Sequence, residues 1–407
     1  MNCRHCQTHL EHVFLDLGFA PPSNAYLSAA DLTKPEGYYP LKLYVCEQCW
    51  LVQTEDYVLP SELFGSNYAY FSSVSSTWLD HAAQYCDMII SRLKLDANSL
   101  VIEVAANDGY LLKNFVLAGI QCLGIEPTDS TADVAERLKI PILREFFSEN
   151  MAAKLVTEGY QADLIIGNNV YAHVPDINDF TQGLKTVLKP SGTITLEFPH
   201  LMRLLEYTQF DTVYHEHFSY FSLYTVSKIF SSAGLRVYDL QELSTHGGSL
   251  RVYGCHENDD RKTTLIVGEL LNKEARRGLR DISTYKVFQS RCNIIKNDLL
   301  IFLIEQQRAG KIVVAYGAAA KGCTLLNYAG IKADLMPFVC DSALSKQGRY
   351  LPGSHIPICH QNEIKKHKPD FVLILPWNIK EEIKSQLSFI KDWGGRFIVA
   401  VPSINLE

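Results

Sequence analysis

The chain has 407 residues, 47% hydrophobic and 20% charged, which is enough apolar material for two or three domains with their own cores. Its net charge of −7 comes without any cluster of Lys and Arg, which argues against a nucleic-acid-binding surface. No apolar run reaches the ~18 residues of a membrane span, and Met1-Asn2-Cys3-Arg4-His5-Cys6 carries no secretory signal, so a cytoplasmic protein with reduced cysteines is expected.

Cysteines open the chain in two pairs, Cys3-x-x-Cys6 and Cys46-x-x-Cys49. One CxxC turn offers two thiolates to a metal, and two such turns complete a tetrahedral zinc site with no open position, hence a structural one. Four unrelated thiols are the plainer alternative, and His5, His9 and His12 stand near enough to compete as ligands. Between the pairs, Pro21-Pro22-Ser23-Asn24-Ala25-Tyr26 reads as irregular and Tyr38 to Tyr44 as a strand.

From residue 99 strands alternate with helical lengths, the pattern of a parallel sheet covered on both faces. Strands are expected at Ser99 to Val104, Cys122 to Pro127, Ala162 to Asn169 and Gly192 to Pro199. Ser222 reads as the N-cap of a packed helix that stops near Gly234. Residues 261–309 are polar and helical in pattern. A second, smaller doubly wound unit follows, with strands at Lys311 to Gly317, Met336 to Asp341, Phe371 to Leu375 and Phe397 to Val401, and a helix between Lys380 and Trp393.

In a doubly wound sheet, ligands bind across the carboxyl ends of the strands. The first turn, Glu103-Val104-Ala105-Ala106-Asn107-Asp108-Gly109, is short and built of small residues where a ligand must approach the backbone. Glu126, followed by Pro127, ends the next strand and is placed to take hydrogen bonds from ribose hydroxyls. The turn has no G-x-G-x-x-G cradle for a pyrophosphate. S-adenosylmethionine has no pyrophosphate, so that cofactor is favoured over NAD, with Glu103, Ala105, Asn107, Gly109, Glu126 and Pro127 as its candidate contacts. Asn168 and Asn169 either face its methionine end or cap a helix.

Several motifs resemble the deoxysugar C-methyltransferases. They are Tyr214-His215-Glu216-His217-Phe218-Ser219-Tyr220-Phe221-Ser222, the two CxxC pairs, Tyr68-Ala69-Tyr70-Phe71-Ser72-Ser73 and Thr245-His246-Gly247-Gly248-Ser249-Leu250-Arg251. Tyr316-Gly317-Ala318-Ala319-Ala320-Lys321-Gly322 and Lys346-Gln347-Gly348-Arg349-Tyr350-Leu351-Pro352-Gly353 resemble that family's final domain. One departure is Ala105, where methyltransferases generally carry Gly. The resemblance implies an α/β chain in three parts: a zinc-binding domain (1–66), a Rossmann-like methyltransferase domain (67–260), and a helical connector with a smaller Rossmann-like sugar-nucleotide-binding domain (261–407).

It also implies methylation of a nucleotide-diphospho-4-keto-6-deoxy sugar, linked to TDP or GDP, commonly at C3. The keto group acidifies the neighbouring C–H, so a base must take that proton and a donor must steady the enolate oxygen. The resemblance places the base at His217, with Tyr214 and Glu216 as proton donor and orienting acid and His173 as a further active-site histidine. His-Glu-His lacks the i, i+4 spacing of a helical zinc site. Lys321 and Arg349 are candidates for the diphosphate, and Tyr68 for the sugar or base. Two other readings use parts of the same sequence: O- or N-methylation of another small molecule, and NAD-dependent oxidoreduction by the second α/β unit.

Overall fold

The computed structural model describes residues 1–57 and 71–407. Its first sheet holds β1 (His12–Ala20), β2 (Tyr39–Val45) and β3 (Val52–Thr54), all antiparallel, and is completed from far along the chain by β9 (Ser219–Tyr220). β1 was not expected from the sequence. Its buried residues, Phe14, Leu15 and Leu17, do not alternate strictly, because the register shifts between Val13 and Leu15 and again between Asp16 and Phe19.

The central sheet has seven strands in the order β10-β11-β8-β7-β4-β5-β6. These are β4 (Leu100–Val104), β5 (Gln121–Ile125), β6 (Ile142–Leu143), β7 (Ala162–Asn168), β8 (Leu188–Pro199), β10 (Leu235–Leu243) and β11 (Ser249–His256). All run parallel except β11, which pairs antiparallel with both β8 and β10. The apolar strands expected from the sequence form the middle of this sheet, where both faces are covered. Ile102, Val104 and Ile165 pack on one face and Val101, Leu164 and Ile166 on the other. The outlying strands went unread: β6 has only two residues, and β10 carries Arg236, Asp239 and Glu242 among its apolar positions.

Ser222 caps the helix Leu223–Ser232 by accepting from Thr225 N at 3.1 Å. The polar stretch that follows folds as helices Leu265–Arg276, Ile282–Lys286 and Phe288–Arg308. Glu274, buried on the first of these, accepts from Leu223 N (2.6 Å) and Tyr224 N (3.0 Å), and so ties the connector to the central domain.

The third sheet has the order β14-β13-β12-β15-β16-β17. It comprises β12 (Val313–Tyr316), β13 (Val339–Cys340), β14 (Ile358–Cys359), β15 (Phe371–Ile374) and β16 (Arg396–Val399), all parallel, and an antiparallel edge, β17 (Asn405–Leu406). Apolar side chains from all three sheets join in one continuous core. Among the described residues no helix is long and apolar enough to cross a membrane.

Candidate active site

The strand order reverses between β4 and β7 in the central sheet and between β12 and β15 in the third sheet. At such a switch point the connections leave in opposite directions and open a crevice. Here both crevices open on the same cavity, of about 1250 Å³. Ala105, Asn107, Glu126, Pro127, Asn168 and Asn169 line it from the central sheet, and Tyr316, Gly317, Lys321, Asp341 and Asn378 from the third.

The turn after β4 winds through left-handed backbone at Ala105 (φ +59°), Asn107 (φ +49°) and Gly109 (φ +75°). Glu126 holds it from below, accepting from Asn107 N and Thr128 N at 2.9 Å each. Ser72 N donates to Asn107 Oδ1 and Ser73 N to Asp108 Oδ2, which closes the turn from the other side. Two of the expected contacts stand back from the wall. Glu103 is buried beneath the turn, its carboxyl pushed well above the ordinary range by burial and by the neighbouring Asp108 and Glu126. Gly109 packs on the helix Asp129–Arg137, and a Cβ there would lie 2.5 Å from Ile140 Cδ1.

Asn168 is 8% exposed, and neither atom of its amide has a hydrogen-bond partner; nor does Asn169 Oδ1. Buried amide groups left unpaired at a cavity wall are costly unless a ligand satisfies them. With the acid of Glu126 on the same wall, the residues present fit S-adenosylmethionine: Glu126 could meet a ribose, and the two asparagines a polar methionine end.

The four cysteines converge through two copies of one turn. The residue after each pair, Gln7 (φ +60°) or Trp50 (φ +61°), donates its N–H to the carbonyl of Cys3 or Cys46 at 2.9 Å. All four Sγ atoms lie within 4.8 Å of one another, with Cys3–Cys49 and Cys6–Cys46 at 3.5 Å. This all-thiolate set fits zinc in a closed tetrahedral site. Gln53 Nε2 donates to Cys3 Sγ at 3.2 Å and stabilises the thiolate. His5 bonds Asn178 and His12 pairs with Glu47, so neither takes part.

The loop between the helix Leu201–Tyr207 and β9 carries Tyr214, Glu216 and His217 to the same cavity, opposite His173. His217 is buried, and its Nδ1 donates to the Thr212 carbonyl at 3.2 Å, which leaves the Nε2 lone pair available. Its ring centroid lies 4.0 Å from that of Tyr214 and 4.6 Å from that of His173. Burial, reinforced by His173, His246 and Lys321, beside which a further positive charge is disfavoured, holds His217 well below its ordinary pKa. Burial also lowers His173 to about 4 and raises Glu216 to about 7. Asn24, from the Pro21–Tyr26 stretch, donates to Glu216 Oε1 at 2.7 Å.

Lys321 enters from the third domain, its ammonium 2.8 Å from Asn378 Oδ1 and 4.4 Å from the centroid of the Trp377 ring; burial lowers it to about 8. Arg349 is exposed and is not among the described residues lining the cavity; Lys346 of the same segment lines it instead. Tyr68 lies outside the described residues. Asp341 accepts from Ala318 N (2.7 Å) and Ala343 N (2.8 Å), as Glu126 does from two backbone amides of the central domain. A Cβ at Gly317 would lie 2.3 Å from Pro376. The glycine is therefore required by packing against Pro376.

Comparison with known proteins identifies the family. Residues 3–64 match a family described as a zinc binding domain, 78–240 a methyltransferase domain, and 244–402 a C-methyltransferase C-terminal domain. C-methyltransferase NovU of Streptomyces niveus is 33% identical over 400 residues, spanning 98% of this chain and 95% of that protein. The chain belongs to the C-methyltransferase family that its motifs resemble. Among solved structures, a SAM-dependent methyltransferase from Anabaena variabilis is 14% identical, covering 43% of this chain and 84% of its own, at TM-score 0.36. Magnesium protoporphyrin IX methyltransferase from Synechocystis, with bound SAM, is 16% identical, covering 48% and 88%, at TM-score 0.34. Likenesses that low carry no weight.

The methyltransferase also brings to its cavity residues that sequence reasoning did not assign: Trp78, His81, Tyr110, His246 and Asn378. His246 stood inside a quoted motif, followed by two glycines; that was the available signal. Trp78 and His81 sit on an ordinary amphipathic helix, Ser76–Leu93, and nothing local separates them from surface residues.

Proposed function

We propose that this methyltransferase places a methyl group on C3 of a nucleotide-diphospho-4-keto-6-deoxy sugar, as a step in making branched-chain deoxysugars. The observation that carries this reading is His217: a buried, neutral imidazole with its Nδ1 proton engaged, among polar groups at the meeting of the two α/β domains. A base of this kind suits removal of a C–H proton acidified by an adjacent ketone.

His217 Nε2 takes the C3 proton, and the C–H electron pair moves onto the C4 oxygen as an enolate. Tyr214 donates a hydrogen bond to that oxygen, and Glu216, fixed by Asn24, orients the loop. S-adenosylmethionine, when bound, supplies an electrophilic methyl. With the cofactor bound, C3 would take that methyl as the carbonyl re-forms and adenosylhomocysteine would leave; His217 holds the proton until products depart. Lys321 meets the diphosphate and fixes the sugar in line.

The test is incubation with a thymidine-diphospho-4-keto-6-deoxy sugar in heavy water, with and without S-adenosylmethionine, read by mass spectrometry. One added methyl is expected with the cofactor, and deuterium wash-in beside the ketone without it. In His217→Asn both fall by about 10²–10⁴-fold. Methyl transfer without exchange, or with His217→Asn unimpaired, would transfer the reading to O- or N-methylation.

A further inference from the structure

His246 has no part in the reaction drawn above, yet it is held with care. Its backbone is left-handed (φ +52°, ψ +19°), a conformation that side chains with a Cβ resist. Burial lowers its pKa to about 4, so the ring is neutral in the working range. Asn169 Nδ2 lies 3.1 Å from His246 Nε2. An amide nitrogen only donates, so Nε2 is the acceptor and the ring proton sits on Nδ1.

Both ends of this bond are anchored on Glu197, which is wholly buried. Asn169 N donates to the Glu197 carbonyl at 2.7 Å, and Thr245 Oγ1, beside His246, donates to Glu197 Oε1 at 2.9 Å. Arg251 (2.6 Å) and His81 (3.0 Å) fix the carboxylate in turn, and Trp78 packs on the His246 ring with centroids 5.1 Å apart. The result is a fixed orientation of the Asn169 amide: one N–H is spent on His246, and Oδ1 remains unpaired at the cavity wall. An acceptor held this way recognises a donor, and the donor on the methionine end of the cofactor is its α-ammonium.

We propose that His246 is a cofactor-positioning residue that locks the Asn169 amide with its oxygen toward the ammonium of S-adenosylmethionine. The proposal rests on Asn169 meeting the methionine end. The probes are adenosylhomocysteine and 5′-methylthioadenosine, which share the thioether nucleoside but differ in the amino-acid end, titrated calorimetrically into the full-length zinc-loaded protein. His246→Phe is expected to weaken adenosylhomocysteine about tenfold and to leave methylthioadenosine within about twofold. His246→Gln, whose amide oxygen falls where Nε2 was, is expected to restore most of the loss. Equal weakening of both ligands would show a merely structural role and overturn the proposal. If Asn169→Ala weakens adenosylhomocysteine but His246→Phe does not, the lock is wrong while the placement of Asn169 stands. If neither matters, both fall.

Discussion

Ala105 carries a side chain through left-handed backbone where the family pattern places glycine. The steric cost for an L-residue there is about 1–2 kcal/mol. Ala105→Gly is therefore expected to raise stability slightly, by about 0.5–1 kcal/mol after the entropy that glycine adds to the unfolded chain, as a small rise in Tm. A fall in Tm would mean that the Cβ packs usefully against the turn. Lys321 poses a different question at the same scale. Burial holds its pKa down to about 8, so its charge is present below that pH and is lost as pH rises through it. The KM for sugar nucleotide is expected to climb above about pH 8, and Lys321→Arg, charged throughout, should flatten that climb. A wild-type KM level to pH 10 would remove Lys321 from diphosphate binding. The meeting of His217, Tyr214 and Glu216 on one cavity was legible because they form a dense local motif. His246 was not assigned, because its importance lies in one bond to a residue 77 positions away.

Among the elements, β9 is the instructive one. It has two residues, Ser219 and Tyr220, and pairs with β3 of the zinc domain through Val52–Tyr220 and Gln53–Ser219. Thr54 N also donates to the Phe218 carbonyl at 3.1 Å. The segment that follows His217 is thus held by the zinc-bound sheet, and Gln53 reaches from that sheet to Cys3. Removing zinc should release the loop that carries His217 before the central sheet, which has its own core. Chelation, or Cys46→Ser with Cys49→Ser, is expected to abolish methyl transfer while adenosylhomocysteine still binds within a few-fold. Loss of both together would show that the zinc domain supports the whole fold. The sequence announced the zinc ligands plainly, as two spaced pairs, but β9 is too short to carry a periodicity, and its partner strand lies some 165 residues away.

Across the molecule, the third domain docks on the loop that carries His217 and on the N-terminal domain. Trp377 Nε1 donates to Asp211 Oδ2 at 2.6 Å, Thr324 Oγ1 to the Val213 carbonyl at 2.8 Å, and Tyr26 Oη to the Ala318 carbonyl at 2.6 Å. Trp377 also covers Gly247, where a Cβ would lie 2.3 Å from its ring. Trp377→Ala is expected to raise the KM for sugar nucleotide about tenfold or more and to leave adenosylhomocysteine affinity unchanged, since the cofactor wall belongs to the central sheet. Calorimetry beside steady-state kinetics separates the two. Parallel losses would mean that the interface organises both sites.

By itself the sequence determined the zinc cluster, the middle strands of both α/β sheets, the capped helix after Ser222 and the family. Each of these is written in short-range spacing: CxxC turns, unbroken apolar runs that only doubly covered strands can use, a serine before an apolar face, a motif of nine residues. Tertiary structure alone decided that the two switch points share one cavity, that Lys346 rather than Arg349 lines it, and that Glu103 and Gly109 support the cofactor turn from behind. The physical reason is that burial and facing depend on how the sheets pack. Two residues of one type in one loop, separated by a turn of backbone, can end on opposite sides of a wall.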